Sequence, residues 1–196
     1  MKNIAFIIWL LVWLPEKTCT SNMYLDEITT YLNASTVADK SKFTAPDYRS
    51  YFLSKEQSAE NKNESLIAFQ RWDGPMHPDI SIIHYVHQDS IWKVTFNEQN
   101  DFSKAINYPG WKGTTIFTFN TEGLIKETVY VPDSTNQSYK SYLQPALAWL
   151  EKNEPSQLSE VYQNNKLIQT EITANKWREL LQEWKSQIED MANHGK

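Results

Sequence analysis

The residues best suited to chemistry lie on one extended run in the middle of the chain. From Gly123-Leu124-Ile125-Lys126-Glu127 to Asp133, two carboxylates stand six residues apart among Ile, Thr, Val and Tyr. Strand side chains alternate between faces, so even spacing puts Glu127 and Asp133 on one face of a strand that stays regular. A carboxylate against apolar surroundings is poorly solvated. That favours its protonated form and brings its proton exchange towards neutral pH. A nearby imidazole would assist as acid, base or hydrogen-bond donor. In the run DISIIHYVH, Asp79 to His87, simple alternation puts His84 on the face of Ile82 and Val86. Asp133, Glu127 and His84 are therefore the candidate catalytic residues. Each also has a plainer reading: Glu127 as a solvated strand residue beside Lys112 or Lys126, Asp133 as a turn residue before Ser134-Thr135-Asn136, and His84 as a partly exposed histidine. His84 and His87 lie three apart and face opposite ways, so they cannot jointly hold one metal ion, and no metal site is expected.

The elements that must position these groups read as strands and helices. Asp79–His87 and Ser90–Asn97 alternate apolar residues and are joined tightly at Gln88-Asp89, which predicts a hairpin. Thr114–Asn120 and Leu124–Val131 form a second hairpin around Thr121-Glu122-Gly123. Between the hairpins a polar loop carries Tyr108-Pro109-Gly110-Trp111, a candidate lid. Before the sheet, Leu25, Ile28 and Leu32 share a helical face, and Asp47–Leu53 follows Pro46 as a helix's first turn would. Lys55–Glu64 reads as a loop or a solvated helix face, Ser65–Trp72 as a strand or short helix, and Asp73-Gly74-Pro75 as a turn. After Asp133, Ser138–Lys152 is helical. A last helix carries the stripe Trp177, Leu180, Leu181, Trp184, Ile188 and Met191, which reads as packing.

Helices, then strands, then helices predict an α+β fold: an antiparallel sheet with N-terminal helices packed on it and a C-terminal helical extension. The strands are apolar on both faces. One face is covered by helices, and the other requires the C-terminal region or a second copy of the chain, so a homodimer is one expected assembly.

The chain has 196 residues, a net charge of −5, 8 Trp and 10 Tyr. The acidic balance, with no Lys/Arg cluster, argues against nucleic-acid binding. Only 5 Gly, with no phosphate-binding loop and no G-x-S-x-G, argue against nucleotide and serine-nucleophile chemistry. No cofactor is expected. Lys2 followed by an apolar run from Ile4 to Leu14 and then Pro15 predicts a signal peptide over residues 1–21. The run is short of the roughly 20 residues that span a bilayer. The protein is expected to be exported, periplasmic or secreted. The alternative is a lipid anchor at Cys19, the one route by which a membrane would be a partner. If cleavage follows Ser21, the mature chain has no cysteine, hence no disulfide or thiolate site.

Gly123, Ile125, Glu127 and Asp133, at the close of a helix-then-sheet order, resemble the nuclear transport factor 2-like superfamily and its SnoaL-like branch, in the style of an exported bacterial member of unassigned activity. The resemblance covers residues 22–135 and leaves residues 136–196 as the extension. It implies a curved, cone-shaped sheet, a pocket between that sheet and the helices, an acid on the last strand and an Asp at the mouth. Trp72, Trp92, Tyr108, Trp111 and Tyr130 are the candidate ligand-binding residues, since Tyr and Trp offer a flat apolar surface with one polar tip. The first expectation is an exported protein that binds a small apolar or amphipathic molecule. The alternatives are an isomerase, cyclase or hydrolase with a pocket carboxylate as general base, and a dimerising structural module with a vestigial pocket. Inward carboxylates with room beside them favour the enzyme, and a filled cone favours the structural module.

Overall fold

The computed structural model describes residues 20–54, 56 and 58–194, with side chains described from Tyr24 to Asp190. The signal-peptide expectation therefore lies outside the described residues, except for Thr20 and Ser21. Helix α1 (Thr20–Leu32) is followed by the short α2 (Val37–Lys42), which starts where Thr36 accepts a hydrogen bond from the Asp39 N–H at 3.1 Å. Strand β1 (Thr44–Phe52) and the two-residue β2 (Glu60–Asn61) lead into α3 (Lys62–Arg71). A capping box starts α3: the Asn61 side chain accepts from the Glu64 N–H, and Glu64 accepts from the Asn61 N–H at 2.8 Å. Then come β3 (Asp79–Gln88), β4 (Ile91–Gln99), the short α4 (Asp101–Ala105), β5 (Trp111–Phe119) and β6 (Ile125–Pro132). The chain finishes with α5 (Lys140–Asn153), α6 (Pro155–Val161), a small hairpin of β7 (Tyr162–Gln163) and β8 (Lys166–Leu167), and α7 (Glu171–His194).

The architecture is the expected α+β arrangement. Six strands run in the order β2-β1-β6-β5-β4-β3, and helices pack on the sheet. Every pairing is antiparallel except β1 with β6, which is parallel. The segment after Pro46 is strand β1, not a helix: its backbone pairs with Glu127–Tyr130 of β6, and that ladder outweighs the local preference of Pro for a helix start. Ser65–Trp72 falls mostly within α3, and the Tyr108 loop is partly structured by α4.

Register separates the two faces of the sheet. Trp92, Val94, Phe96 and Glu98 on β4 lie opposite Phe117, Thr115, Gly113 and Trp111 on β5. Phe117 and Thr115 in turn lie opposite Thr128 and Tyr130 on β6. These residues form the inner face, and most are buried with Ile28 and Tyr31 of α1. A second core lies at the other end. There Trp177, Leu180, Leu181 and Trp184 of α7 pack with Leu143, Ala146, Leu147 and Leu150 of α5, Phe102 of α4, and Met76. The packing stripe of α7 thus runs as its spacing predicts to Trp184, while Ile188 is 40% exposed. The C-terminal helices pack with α3 and α4. On the sheet's outer face, Val86, Ile91 and Val131 remain exposed.

Candidate functional site

Between the inner face, α1, α2 and α3 lies a cavity of about 460 Å³. A second space of about 480 Å³ adjoins it, bordered by Phe52, Phe69, Pro78 and Ile80. Lys40, Asp73, Glu98 and Tyr130 line both and so stand where the two meet. Trp72, Trp111, Phe102 and Tyr139 line the first of these spaces.

Three separate elements bring the charged groups together. Lys40 projects from α2. Its ammonium donates to the Tyr31 carbonyl at 3.2 Å and sits 4.1 Å from the Tyr31 ring centre and 4.5 Å from that of Phe69. The carbonyl belongs to the last turn of α1, where helix polarity favours a cation, and both rings present a face to it. Asp73 lies in the turn after α3, held by the Gly74 N–H donating to the Phe69 carbonyl at 3.0 Å. Glu98 continues the inner-face alternation of Trp92, Val94 and Phe96. Among the described residues, no side chain or backbone group makes a hydrogen bond or ion pair with either carboxylate.

Burial governs the charge of all three groups. It pushes Glu98 up to about 7, with the Asp73 carboxylate adding to the rise and the Lys40 ammonium opposing it. Burial lowers Lys40 to about 8, against the attraction of Asp73 and Glu98. Asp73 is exposed to solvent, and the protein packed beside it still raises its carboxyl above the ordinary range, partly offset by Lys40. Tyr130 is pushed up to about 12, first by burial and then by the two carboxylates, so its hydroxyl stays a neutral donor at physiological pH. Beside them, Tyr31 and Tyr48 share a hydrogen bond at 3.1 Å, and Tyr48 and Thr128 share one at 2.6 Å, forming a polar seam along the cavity wall. The arrangement sets aromatic surface beside charged and hydroxyl groups in one space. At neutral pH it can accept or donate a proton at Glu98.

Of the residues singled out from the sequence, Trp72, Trp111 and Tyr130 line the cavity. Trp92 is buried in the sheet core at 1% exposure, stacked with His87 at 4.6 Å. Tyr108 belongs to the C-terminal core and donates its hydroxyl to the Gln137 carbonyl at 2.8 Å. Glu127 lies opposite Thr118 of β5 and Arg49 of β1, on the outer face. His84 is exposed and lies opposite Thr95, also on the outer face. The cause is a bulge between Ile82 and His84, which reverses the alternation that would have kept them together. Asp133 ends β6 in a turn, where its carboxylate accepts from the Thr135 N–H and hydroxyl, both at 2.8 Å. Those bonds hold its carboxyl below the usual range. It does not line the cavity.

The groups that sequence reasoning missed are Lys40, Asp73 and Glu98. Only Glu98 left a signal: it continues the two-residue period of Trp92, Val94 and Phe96, so an acid sits on an apolar face. The β4 strand extends to Gln99, past the Asn97 at which the sequence reading ended it.

No protein-family model matches this chain, and no curated protein matches it either. Many of the solved structures similar to it are SnoaL-like or nuclear transport factor 2-like proteins. One is a protein of the SnoaL-like family from Agrobacterium tumefaciens, at 16% identity and a TM-score of 0.42 over 58% of this chain and 99% of that one. A second is AusH from Aspergillus nidulans, at 15% identity and 0.49 over 61% and 89%. A third is SalBIII, described as an epoxide hydrolase/cyclase-like enzyme of pyran ring formation in salinomycin, at 14% identity and 0.48 over 60% and 95%. At these identities the likeness is one of fold.

Proposed function

We propose that this protein binds a small, amphipathic molecule in the cavity between its inner sheet face and helices α1–α3. The observation that carries this reading is an unfilled space of about 460 Å³, bordered by aromatic rings and by two carboxylates that make no hydrogen bond or ion pair among the described residues. A structural module would have filled that volume with side chains. The test uses N-phenyl-1-naphthylamine, a neutral fluorescent probe. One saturable site per chain is expected in the wild type. Two cavity-filling variants, Ser65→Trp and Thr115→Trp, should weaken binding by at least about tenfold. Absence of saturable binding, or binding untouched by either filling variant, would sink the reading.

A second reading, acid–base catalysis of the isomerase, cyclase or hydrolase kind, is favoured by one specific feature: Glu98 titrates at about 7. Glu98 would exchange the proton and the Tyr130 hydroxyl would donate a hydrogen bond to the developing anion. The check is deuterium exchange at the α-carbons of small ketones, with and without an amino group. Exchange faster with wild type than with Glu98→Gln supports catalysis, and equal rates leave binding as the function.

Two further readings complete the proposal. Export rests on the apolar Ile4–Leu14 run behind Lys2. The mass of the protein recovered from outside the cytoplasm tests it, with a lipid-modified Cys19 as the alternative outcome. A second copy of the chain on the outer sheet face rests on the exposure of Val86, Ile91 and Val131. A monomer on sedimentation would remove it.

A further inference from the structure

We infer that the ligand of this cavity is a cation: an organic amine or ammonium ion whose positive centre lies between Asp73 and Glu98 and whose apolar arm lies against Trp72 and Trp111. The inference rests on the cavity being a ligand site and names the chemistry it selects.

The first argument is the balance of donors and acceptors. An ionised carboxylate only accepts hydrogen bonds, and an enclosed one calls for donors or positive charge. Neither Asp73 nor Glu98 accepts a hydrogen bond or makes an ion pair among the described residues; Glu98 is half-buried and Asp73 is exposed. Lys40 is near enough to attract them, but its ammonium makes no hydrogen bond or ion pair with either. It donates to the Tyr31 carbonyl at 3.2 Å and stands over the Tyr31 and Phe69 rings. Among the described residues lining the cavity, Lys40 is the one cation set against two carboxylates.

The second argument is repulsion. Asp73 and Glu98 are close enough for the charge on one to raise the proton affinity of the other. A positive centre between them relieves that repulsion and does the work that a bound proton does in the empty cavity. The third argument is the lining. Trp72, Trp111 and Tyr130 border the same space, and the faces of aromatic rings attract cations. An anionic ligand would meet two carboxylates and the negative faces of those rings, with a single ammonium in its favour. A neutral ligand would leave two carboxylates facing one ammonium.

The experiment displaces N-phenyl-1-naphthylamine with four molecules of one chain length: hexylammonium, hexyltrimethylammonium, 1-hexanol and hexanoate. It is run at pH 8, where Glu98 is mostly ionised. At least one ammonium ion is expected to bind about tenfold or more tighter than hexanol, with hexanoate weakest. In Asp73→Asn and Glu98→Gln that preference should shrink towards parity while the neutral probe still binds, which shows that the variants are folded and the cavity intact. Hexanol or hexanoate binding as tightly as both ammonium ions, or a preference that survives both substitutions, would overturn the cation and leave the pocket standing. Failure of the probe itself to bind would remove the pocket and the cation together.

Discussion

Tyr130 lies across the neighbouring strand because Gly113 has no side chain. A Cβ on Gly113 would stand 2.3 Å from the Tyr130 ring and 2.6 Å from its hydroxyl oxygen. The glycine is thus what lets the phenol reach the junction of the two cavity spaces beside Glu98. Gly113→Ala is expected to displace the ring and destabilise the fold by about 1–3 kcal/mol, the usual cost of forcing a methyl group into filled space. Chemical denaturation measures it, and an unchanged midpoint would mean the ring moves freely.

The buried charges predict an unusual pH dependence of stability. Glu98 has its folded pKa raised from 4.5 to about 7, so the folded state holds the extra proton between those values and stability falls as pH rises through that window. Lys40 has its folded pKa lowered from 10.5 to about 8, so the unfolded state holds the extra proton there and stability rises from about pH 8 to 10.5. The site's contribution is therefore least near pH 7–8. Glu98→Gln should stabilise the protein by about 1–2 kcal/mol at pH 8, after discounting the shift for solvent reaching the cavity, and by much less at pH 4.5. Urea denaturation at the two pH values decides it.

The same groups should respond to one another in opposite directions. Asp73 raises Glu98 and Lys40 lowers it. Asp73→Asn should therefore bring the Glu98 pKa down, and Lys40→Met should send it up. Carboxyl carbon NMR with labelled glutamate reads both. Two shifts of the same sign would show that one substitution has rearranged the cavity.

Outer-face and turn residues should be silent in binding. Glu127→Gln, His84→Ala and Asp133→Asn are expected to leave the affinity for the neutral naphthalene probe within about twofold, since none lines the cavity. A larger loss in any of the three would return that residue to the site.

The C-terminal helices are anchored by Trp177, which is fully buried and donates its indole N–H to the Val161 carbonyl at 3.2 Å. Trp177→Ala should cost about 3–5 kcal/mol. Because Phe102 meets this ring at 5.7 Å and also lines the cavity, the variant should weaken probe binding as well. Binding unchanged in protein that is still folded would show that the cavity is independent of the C-terminal core.

The sequence by itself determined the local elements. The two hairpins were legible because side-chain alternation and turn residues act over a few positions, and the α7 stripe because a helix repeats its face every three or four residues. Where local preference and long-range pairing compete, the tertiary structure decided. The segment after Pro46 became β1 because β6 offered it a ladder. One bulge between Ile82 and His84 moved the histidine to the outer face, and no pattern of residue types announces a bulge. Glu98 alone of the cavity charges was legible, as an acid in the apolar period of β4. Lys40 and Asp73 come from a six-residue helix and a turn, and nothing local distinguishes them from surface charges. Only the folded path of the chain brings them to Glu98. Only there do desolvation and mutual Coulomb forces act on the three together, because both depend on distance in space and not along the sequence.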